Sequence, residues 1–597
     1  MTQFDKLSYP FDSGEILQAK KSIKRELLAS GNKFIKKNIA VLGGSTTNLI
    51  VDIMELFLLN NGIEPVFYQS EYAQFYIDAV FGSPELDEFN PDIIYICTTN
   101  KNITVPFPTI KDGEETINSL LDNQFNYYKN AWQSLASKYN CPVIQNNFEK
   151  PQYRLLGNRD SYDIHGKTNF LNRLNAMFAE YAYQNDYFHI CDIDYISSDL
   201  GLSNWYDPEG WFMYKYAMNI LAIPNLSHNV ANIIKSIFGK NKKVLALDMD
   251  NTLWGGVIGD DGVENIELGE ETSNAQSFSE FQGYIKSHKD LGILLTVCSK
   301  NEHENAISGL NHPDSKLSEE DFILIKANWD RKDKNITDMA EQLSLGADSF
   351  VFVDDNPAER SIVKSNIDGI SVPEITNPAE YISIIDKNGY FETTSLSDDD
   401  LKRNDMYKAN IKRSEMQANL SDYGDYLKSL DMKAEIDSFC PVYFARITQL
   451  TNKSNQFNLT TKRYTQSEIE AISCDKNYIT LYGRLEDTFG DNGVVSVVIG
   501  NIKDASLYID LWLMSCRVLK RDMELAMLDT LVSECKSKNI NKIIGYYYPT
   551  PKNKMVENLY GVFGFNKISQ TESETVWELD IDNYENKNKY IKTEKRN

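Results

Sequence analysis

The residues best placed for chemistry are Leu247-Asp248-Met249-Asp250-Asn251-Thr252, which close the apolar run Val244-Leu245-Ala246-Leu247. Residues two apart on an extended strand face the same side. Asp248 and Asp250 therefore converge beyond the carboxyl end of the strand, where ligands bind in open α/β sheets. A second acidic pair, Asp354-Asp355, closes the run Phe350-Val351-Phe352-Val353 and would supply further oxygen ligands for Mg²⁺. The expected metal set is thus Asp248, Asp250, Asp354 and Asp355. Ser299 follows the strand ending Val297-Cys298, and Lys332 opens a helix. A carboxylate nucleophile, a second carboxylate, a hydroxyl, an ammonium and a cation site are the parts of an aspartate-based phosphoryl-transfer centre. One acidic pair at a strand end is ordinarily a solvated loop; four such motifs in order at strand ends are not.

Positioning these groups requires parallel sheets. In 597 residues several domains fit at roughly 100–200 residues each. Ile39-Ala40-Val41-Leu42, Ile93-Ile94-Tyr95-Ile96 and the stretch around Phe188-His189-Ile190 read as buried strands alternating with helices, and a second alternation starts at Lys243. Ile336, Met339, Ala340 and Leu343 give the helical spacing between its last two strands. The expected division is a helical arm over 1–36, an α/β domain over 37–225, a second α/β domain over 226–392, a solvated helical linker over 393–432, an α+β domain over 433–580 and a fraying polar tail over 581–597. Asp491-Asn492-Gly493 suggests a hairpin turn in the α+β domain.

Composition excludes several functions. Lys+Arg 61 against Asp+Glu 86 leaves a net charge of −25, so bulk attraction to nucleic acid or to an anionic membrane is not expected. The amino terminus lacks a signal-like pattern and no apolar run approaches a membrane span, which reads as cytoplasmic. Eight scattered cysteines lack the close pairs of a zinc or redox motif.

The four acidic, hydroxyl and lysine motifs resemble those of the haloacid dehalogenase (HAD) phosphatase superfamily. The resemblance implies Asp248 as nucleophile, Asp250 as general acid then base, and Thr252, Ser299 and Lys332 as substrate-binding residues around Mg²⁺. The short spacings leave no room for a large cap, so the site should be open. The longer runs Asp248-Met249-Asp250-Asn251-Thr252-Leu253-Trp254-Gly255-Gly256, Cys298-Ser299-Lys300-Asn301, Asp354-Asp355-Asn356-Pro357-Ala358-Glu359-Arg360, Asn455-Gln456-Phe457-Asn458-Leu459-Thr460 and Ser515-Cys516-Arg517-Val518-Leu519 look like the FkbH-like family. That family loads glyceryl units from a glycolytic acyl phosphate onto acyl carrier proteins.

The α+β order after Ser506 is similar to the GNAT acyltransferase fold, in which a helix amino terminus cradles a pyrophosphate. Arg517-Val518-Leu519-Lys520-Arg521-Asp522 lacks the glycines of that turn. Cys516, read as lying at a helix amino terminus beside Arg517 and near Arg521, is in the setting that lowers a thiol pKa. The resemblance implies it as acyl relay; a small core residue ending a strand is the alternative. Arg517 and Asn455 join the substrate-binding set, Asn455 within a polar stretch suited to phosphate or a phosphopantetheine arm. Val41-Leu42-Gly43-Gly44-Ser45 and Thr98-Thr99-Asn100 resemble the serine and asparagine blocks of SGNH hydrolases. The third block, Asp207-Pro208-Glu209-Gly210, has no histidine, leaving Ser45 without a base.

These readings make the chain a multidomain α/β protein: an SGNH-like domain, a capless HAD domain with a Rossmann-like parallel sheet, and a GNAT-like domain. The expected function is removal of phosphate from a phosphorylated three-carbon acyl donor and transfer of the glyceryl-type unit, through a thiol, to an acyl carrier protein. A plain HAD phosphatase and a non-enzymatic scaffold are the alternatives.

Overall fold

The computed structural model describes residues 5–31, 34–419, 422–454, 456–550 and 552–596. The chain forms two compact units. The first comprises 1–241, 368–373 and 383–395; the second comprises 242–367, 374–382 and 396–597.

The first unit is built on a parallel sheet of order β2-β1-β3-β4-β5, with β1 Ile35–Gly43, β2 Ile63–Gln69, β3 Ile93–Cys97, β4 Val143–Asn146 and β5 Phe188–Cys191. Strand periodicity divides β1 between two cores. Ile39 and Val41 join the cluster of helices Asn48–Asn60 and Ile223–Ile237, while Ala40 and Leu42 face helices Glu114–Tyr139 and Lys167–Gln184. Two expected boundaries shift for the same reason. Ile16, Ile23 and Leu27 of helix Ser13–Ala29 share a core with Ile39, so the arm is part of the unit. Helix Ile223–Ile237 buries Leu226, Val230 and Ile234 there too, instead of opening the second α/β domain.

The second unit holds a four-stranded parallel sheet of order β8-β7-β6-β9: β6 Val244–Leu247, β7 Leu294–Ser299, β8 Leu324–Ala327 and β9 Phe350–Val353. Every residue of β6, β7 and β9 is buried. This explains the unbroken apolar runs of β6 and β9 and the largely apolar β7. Leu247 aligns with Val297 and Val353, bringing three strand ends, and the polar residues beyond them, to one edge.

A mixed sheet completes this unit, of order β16-β17-β15-β14-β13-β12-β10-β18 with β11 on β14. Its strands are β10 Lys433–Asp437, β11 Phe457–Asn458, β12 Tyr478–Asp487, β13 Gly490–Lys503, β14 Ser506–Met514, β15 Lys542–Tyr547, β16 Asn566–Gln570, β17 Thr575–Asp580 and β18 Lys592–Glu594. Parallel strands β14 and β15 pair only over Ser506–Tyr508. Where they part, Leu459 closes the gap: its N–H donates to the Trp512 carbonyl at 3.1 Å and its carbonyl accepts from Tyr548 N–H at 2.9 Å.

Three further expectations are corrected. The β12–β13 turn lies between Asp487 and Gly490, whereas Asp491-Asn492-Gly493 forms an irregularity inside β13, because Asp491 is drawn to Arg484 at 2.6 Å. The linker is not a solvated face: helix Arg403–Asn419 buries Asn404, Met406, Tyr407 and Arg413. The tail is tied down, since Asp529 accepts bonds from Tyr584, Lys587 and Asn588, and β18 pairs with β10.

Candidate active site

Asp248 is the first residue past β6, held by its N–H to the Val353 carbonyl at 2.9 Å. Lys332, at the start of helix Lys332–Gln342, reaches Asp248 Oδ2 at 2.9 Å and Asp354 Oδ2 at 2.5 Å. All three are buried. Ligand oxygens of Asp248, Asp354 and Asp355 lie within 4.8 Å of one another. Three carboxylates and one ammonium leave this site an excess of negative charge that suits a hard divalent cation. Asp248 Oδ1 is buried with no hydrogen-bond partner, the kind of orphaned oxygen that such an ion would satisfy.

Charge competition is visible in the titrating groups. Burial alone would lower the Lys332 pKa, but Asp248 and Asp354 outweigh it and hold the ammonium charged. Burial and the Asp248 charge push Asp354 and Asp355 up, against the pull of Lys332. This is the signature of carboxylates crowded at a functional site.

Asp250 is placed differently from the expected ligand set. Its Oδ1 accepts from Trp254 Nε1–H at 2.9 Å and from Ile258 N–H at 3.1 Å, and its Oδ2 accepts from Asn301 Nδ2 at 2.9 Å. These bonds keep its carboxylate out of the three-acid cluster, and burial raises its pKa despite them. A carboxyl that holds its proton more readily is suited to general acid work. Thr252 is buried and its Oγ1 accepts from Asp355 N–H at 3.3 Å, so it braces the acidic loop. Ser299, also buried, receives Asn301 Nδ2 at 3.3 Å. Asn301 and Trp254 were in the quoted motifs but had no role there. Their bonds to Asp250 give them one.

Cys516 lies elsewhere. It opens a three-residue turn, Cys516–Val518, capped by Ser515, whereas the long helix begins only at Met523. The expected helix amino terminus is therefore absent, because Asp522 takes φ 59° and breaks the path between turn and helix. Arg521 does not flank the thiol either: with Arg413 and Asn492 it is bound to buried Asp487. Arg517 pairs with Asp399 at 3.2 Å. Lys243, directly before β6, and Tyr407 both lie within electrostatic reach of the thiol. Cys516 thus sits at the amino edge of the sheet and Asp248 at its carboxyl edge. Five residue steps at about 3.3 Å each put roughly 16 Å between Lys243 and Asp248. Asn455 lies outside the described residues.

In the first unit Ser45 is buried after β1. Asn100, expected as an oxyanion donor, turns its Nδ2 to Tyr206 Oη at 2.7 Å, and its N–H donates to Glu149 at 3.1 Å. Asp207 caps helix Pro208–Tyr214 through Gly210 N–H. Burial pushes Glu149 up to about 7. Among the described residues no hydrogen bond joins Ser45 to a histidine.

Comparison with known proteins adds three findings. Residues 38–235 match the model of the FkbH N-terminal domain. The solved N-terminal part of BF1531 from Bacteroides fragilis, described as containing a phosphatase domain complexed with Mg, is 28% identical; the match covers 65% of this chain and 100% of that chain, with a TM-score of 0.58. The ribosomal-protein-S18-alanine N-acetyltransferase from Escherichia coli matches at 12% identity over 26% of this chain and 99% of its own, with a TM-score of 0.20. A search among curated proteins gave no match. No helix among the described residues is long and apolar enough to cross a membrane. With two parallel sheets and a mixed sheet the chain is a multidomain α/β protein, similar over residues 38–235 to the FkbH N-terminal domain and over 65% of its length to the phosphatase-containing part of BF1531.

Proposed function

We propose that this protein is a Mg²⁺-dependent phosphatase of HAD type that acts on a phosphorylated three-carbon acyl donor and passes the glyceryl-type unit to an acyl carrier protein. The observation that carries the phosphatase reading is the Asp248–Lys332–Asp354 bridge, with Asp355 beside it and an orphaned Asp248 oxygen. The Mg-bound phosphatase domain of the B. fragilis neighbour supports the same reading.

Asp248, Asp354 and Asp355 would hold the cation. When bound, Mg²⁺ neutralises charge on the phosphoryl oxygens and orients the group. The Asp248 carboxylate attacks phosphorus and the bond to the leaving oxygen breaks, leaving an aspartyl phosphate. Asp250, whose pKa burial raises, donates a proton to that oxygen. It then takes a proton from the water that attacks phosphorus, releasing phosphate and restoring Asp248. Lys332 and Ser299 bind the phosphoryl oxygens, and Trp254, Ile258 and Asn301 fix the proton carrier.

Cys516 is the proposed acyl relay: its thiol is partly exposed, and a thiol can take an acyl group and pass it to the carrier thiol. A plain phosphatase is the second reading, favoured by one observation: the thiol and Asp248 occupy opposite edges of the sheet. Asp248→Asn should abolish phosphate release with the fold intact, and chelation should do the same until Mg²⁺ is restored. Residual release above about a tenth of wild type would refute the nucleophile, whose removal costs orders of magnitude. Cys516→Ser should block carrier loading, read by intact-protein mass, while phosphate release persists. Normal loading by that variant would leave the plain phosphatase.

A further inference from the structure

At the amino edge of the four-stranded sheet five cationic side chains gather: Lys243 before β6, Arg403 on helix Arg403–Asn419, Arg446 and Lys453 on helix Phe444–Lys453, and Arg517 beside Cys516. Two carboxylates answer them. Asp399 takes Arg446 at 2.7 Å and Arg517 at 3.2 Å, and Asp400 takes Arg403 and, at 3.5 Å, Lys453. Gln449 Nε2 and Ser397 Oγ already donate to Asp400 at 2.6 and 2.8 Å. The next carboxylate, Asp348, is paired with Lys552.

Lys243 has no ion pair or side-chain hydrogen bond among the described residues, yet it faces Cys516 and Arg403 from a half-buried position. Three positive charges therefore lack a counter-charge here. Burial with this crowding pushes Arg446 down to about 9 and Lys453 down to about 8, and lowers Lys243 as well. Such a partly buried cationic cluster is costly when uncompensated and favourable when an anion joins it. A phosphate ester carries about −1 to −2 and accepts several charge-assisted bonds. That matches the surplus.

We propose that this cationic cluster is a second phosphate site, independent of the phosphatase centre, in which Lys243, Arg446 and Lys453 bind a phosphate ester whose attached group lies against the Cys516 thiol. Two sources present this chemistry: the root of a phosphopantetheine arm, and a small phosphorylated acyl donor. The site goes beyond the phosphatase reading and does not depend on it.

The test uses full-length protein carrying Asp248→Asn, so that the first centre is silent, and follows alkylation of Cys516 by iodoacetamide with peptide mass mapping. Exposed Cys474 is the internal control. The S-methyl ether of phosphopantetheine, which cannot consume the reagent, or glycerol 3-phosphate should slow Cys516 alkylation relative to Cys474 at concentrations at least about tenfold below those of S-methyl pantetheine or glycerol, as loss of a charge-assisted contact implies. Lys243→Met and Lys453→Met should each remove that advantage. Protection by the phosphopantetheine ether alone assigns the carrier arm; protection by glycerol 3-phosphate alone assigns the small donor. Lys243→Met in phosphate-free buffer should also unfold at a higher temperature than its parent, since it removes an unpaired cation. Equal protection with and without the phosphate, or protection unchanged in both lysine variants, would overturn the proposal.

Discussion

Replacing Lys332 by methionine removes the only cation that the described residues place between Asp248 and Asp354. The ammonium lies 2.9 Å from one carboxylate and 2.5 Å from the other, and its side chain is 3% exposed. One such pair is worth about 4 kcal/mol gross at 4 Å and an effective dielectric near 20. Deleting one partner of a buried pair costs about 3–5 kcal/mol net, because the other charge is left unpaired. Two carboxylates lose the same cation here and then face each other, with Asp355 adjacent, so the upper part of that range applies. At about 1.4 kcal/mol per factor of ten, the amides of β6 and β9 should exchange with deuterium roughly seven hundred- to four thousand-fold faster through local opening. The measurement is made in chelator. Added Mg²⁺ should recover part of the protection, since a divalent ion restores the missing positive charge. Acceleration below about tenfold, or greater protection than wild type, would mean that the two acids do not share an ionised pair with Lys332.

Three other outcomes follow from the geometry. A Cβ at Gly309 would meet Trp254 ring atoms at 2.5–2.9 Å, so Gly309→Ala should displace the Trp254 donor from Asp250; kcat for phosphate release should fall while KM changes little, and unchanged kinetics would remove Trp254 from the mechanism. Glu149 is protonated more readily when folded, by burial, with a native pKa of about 7 against roughly 4.3 unfolded. Native protein then binds more protons between these values, so stability is full below about 4 and falls as pH rises towards 7, by on the order of 3 kcal/mol. Glu149→Gln should therefore raise the thermal midpoint at pH 8 and leave it nearly unchanged at pH 4.5, and an equal effect at both would refute the assignment. Ser45→Ala should leave carrier loading intact; its collapse in a folded variant would give the first unit a catalytic role.

The parts of the chain that could be read in advance share a physical reason. Buried parallel strands leave uninterrupted apolar runs, and their carboxyl ends must be polar, so Asp248, Asp250, Ser299 and Asp354-Asp355 stand out by position alone. What stayed hidden depends on contacts far apart in sequence. Nothing near Asp250 announces that Asn301, 51 residues on, will occupy one of its oxygens. The charged stretch around 400 reads as solvated because its periodicity is weak, yet Asn404 reaches the carbonyls of Lys289 and Ile293 and Arg413 reaches Asp487. Asp491-Asn492-Gly493 has turn chemistry, but Gly493 uses its φ of 66° within β13.

The position of Cys516 follows from those same long-range contacts. Arg403 donates to the Gly292 carbonyl, Lys408 to that of Glu320, and Lys552 pairs with Asp348. Residues 292, 320 and 348 precede β7, β8 and β9, so these contacts set helix Arg403–Asn419 and, through Lys552, the mixed-sheet domain against the amino edge. These contacts leave the carboxyl edge to the phosphatase centre, and two anion-handling centres are separated by the length of β6, roughly 16 Å. A substrate that reacts at both must leave the first before it meets the thiol, or be carried on an arm long enough to span them. A product of the phosphatase centre should consequently exchange with added unlabelled product before loading. Complete retention of label in the loaded carrier would require a route between the edges.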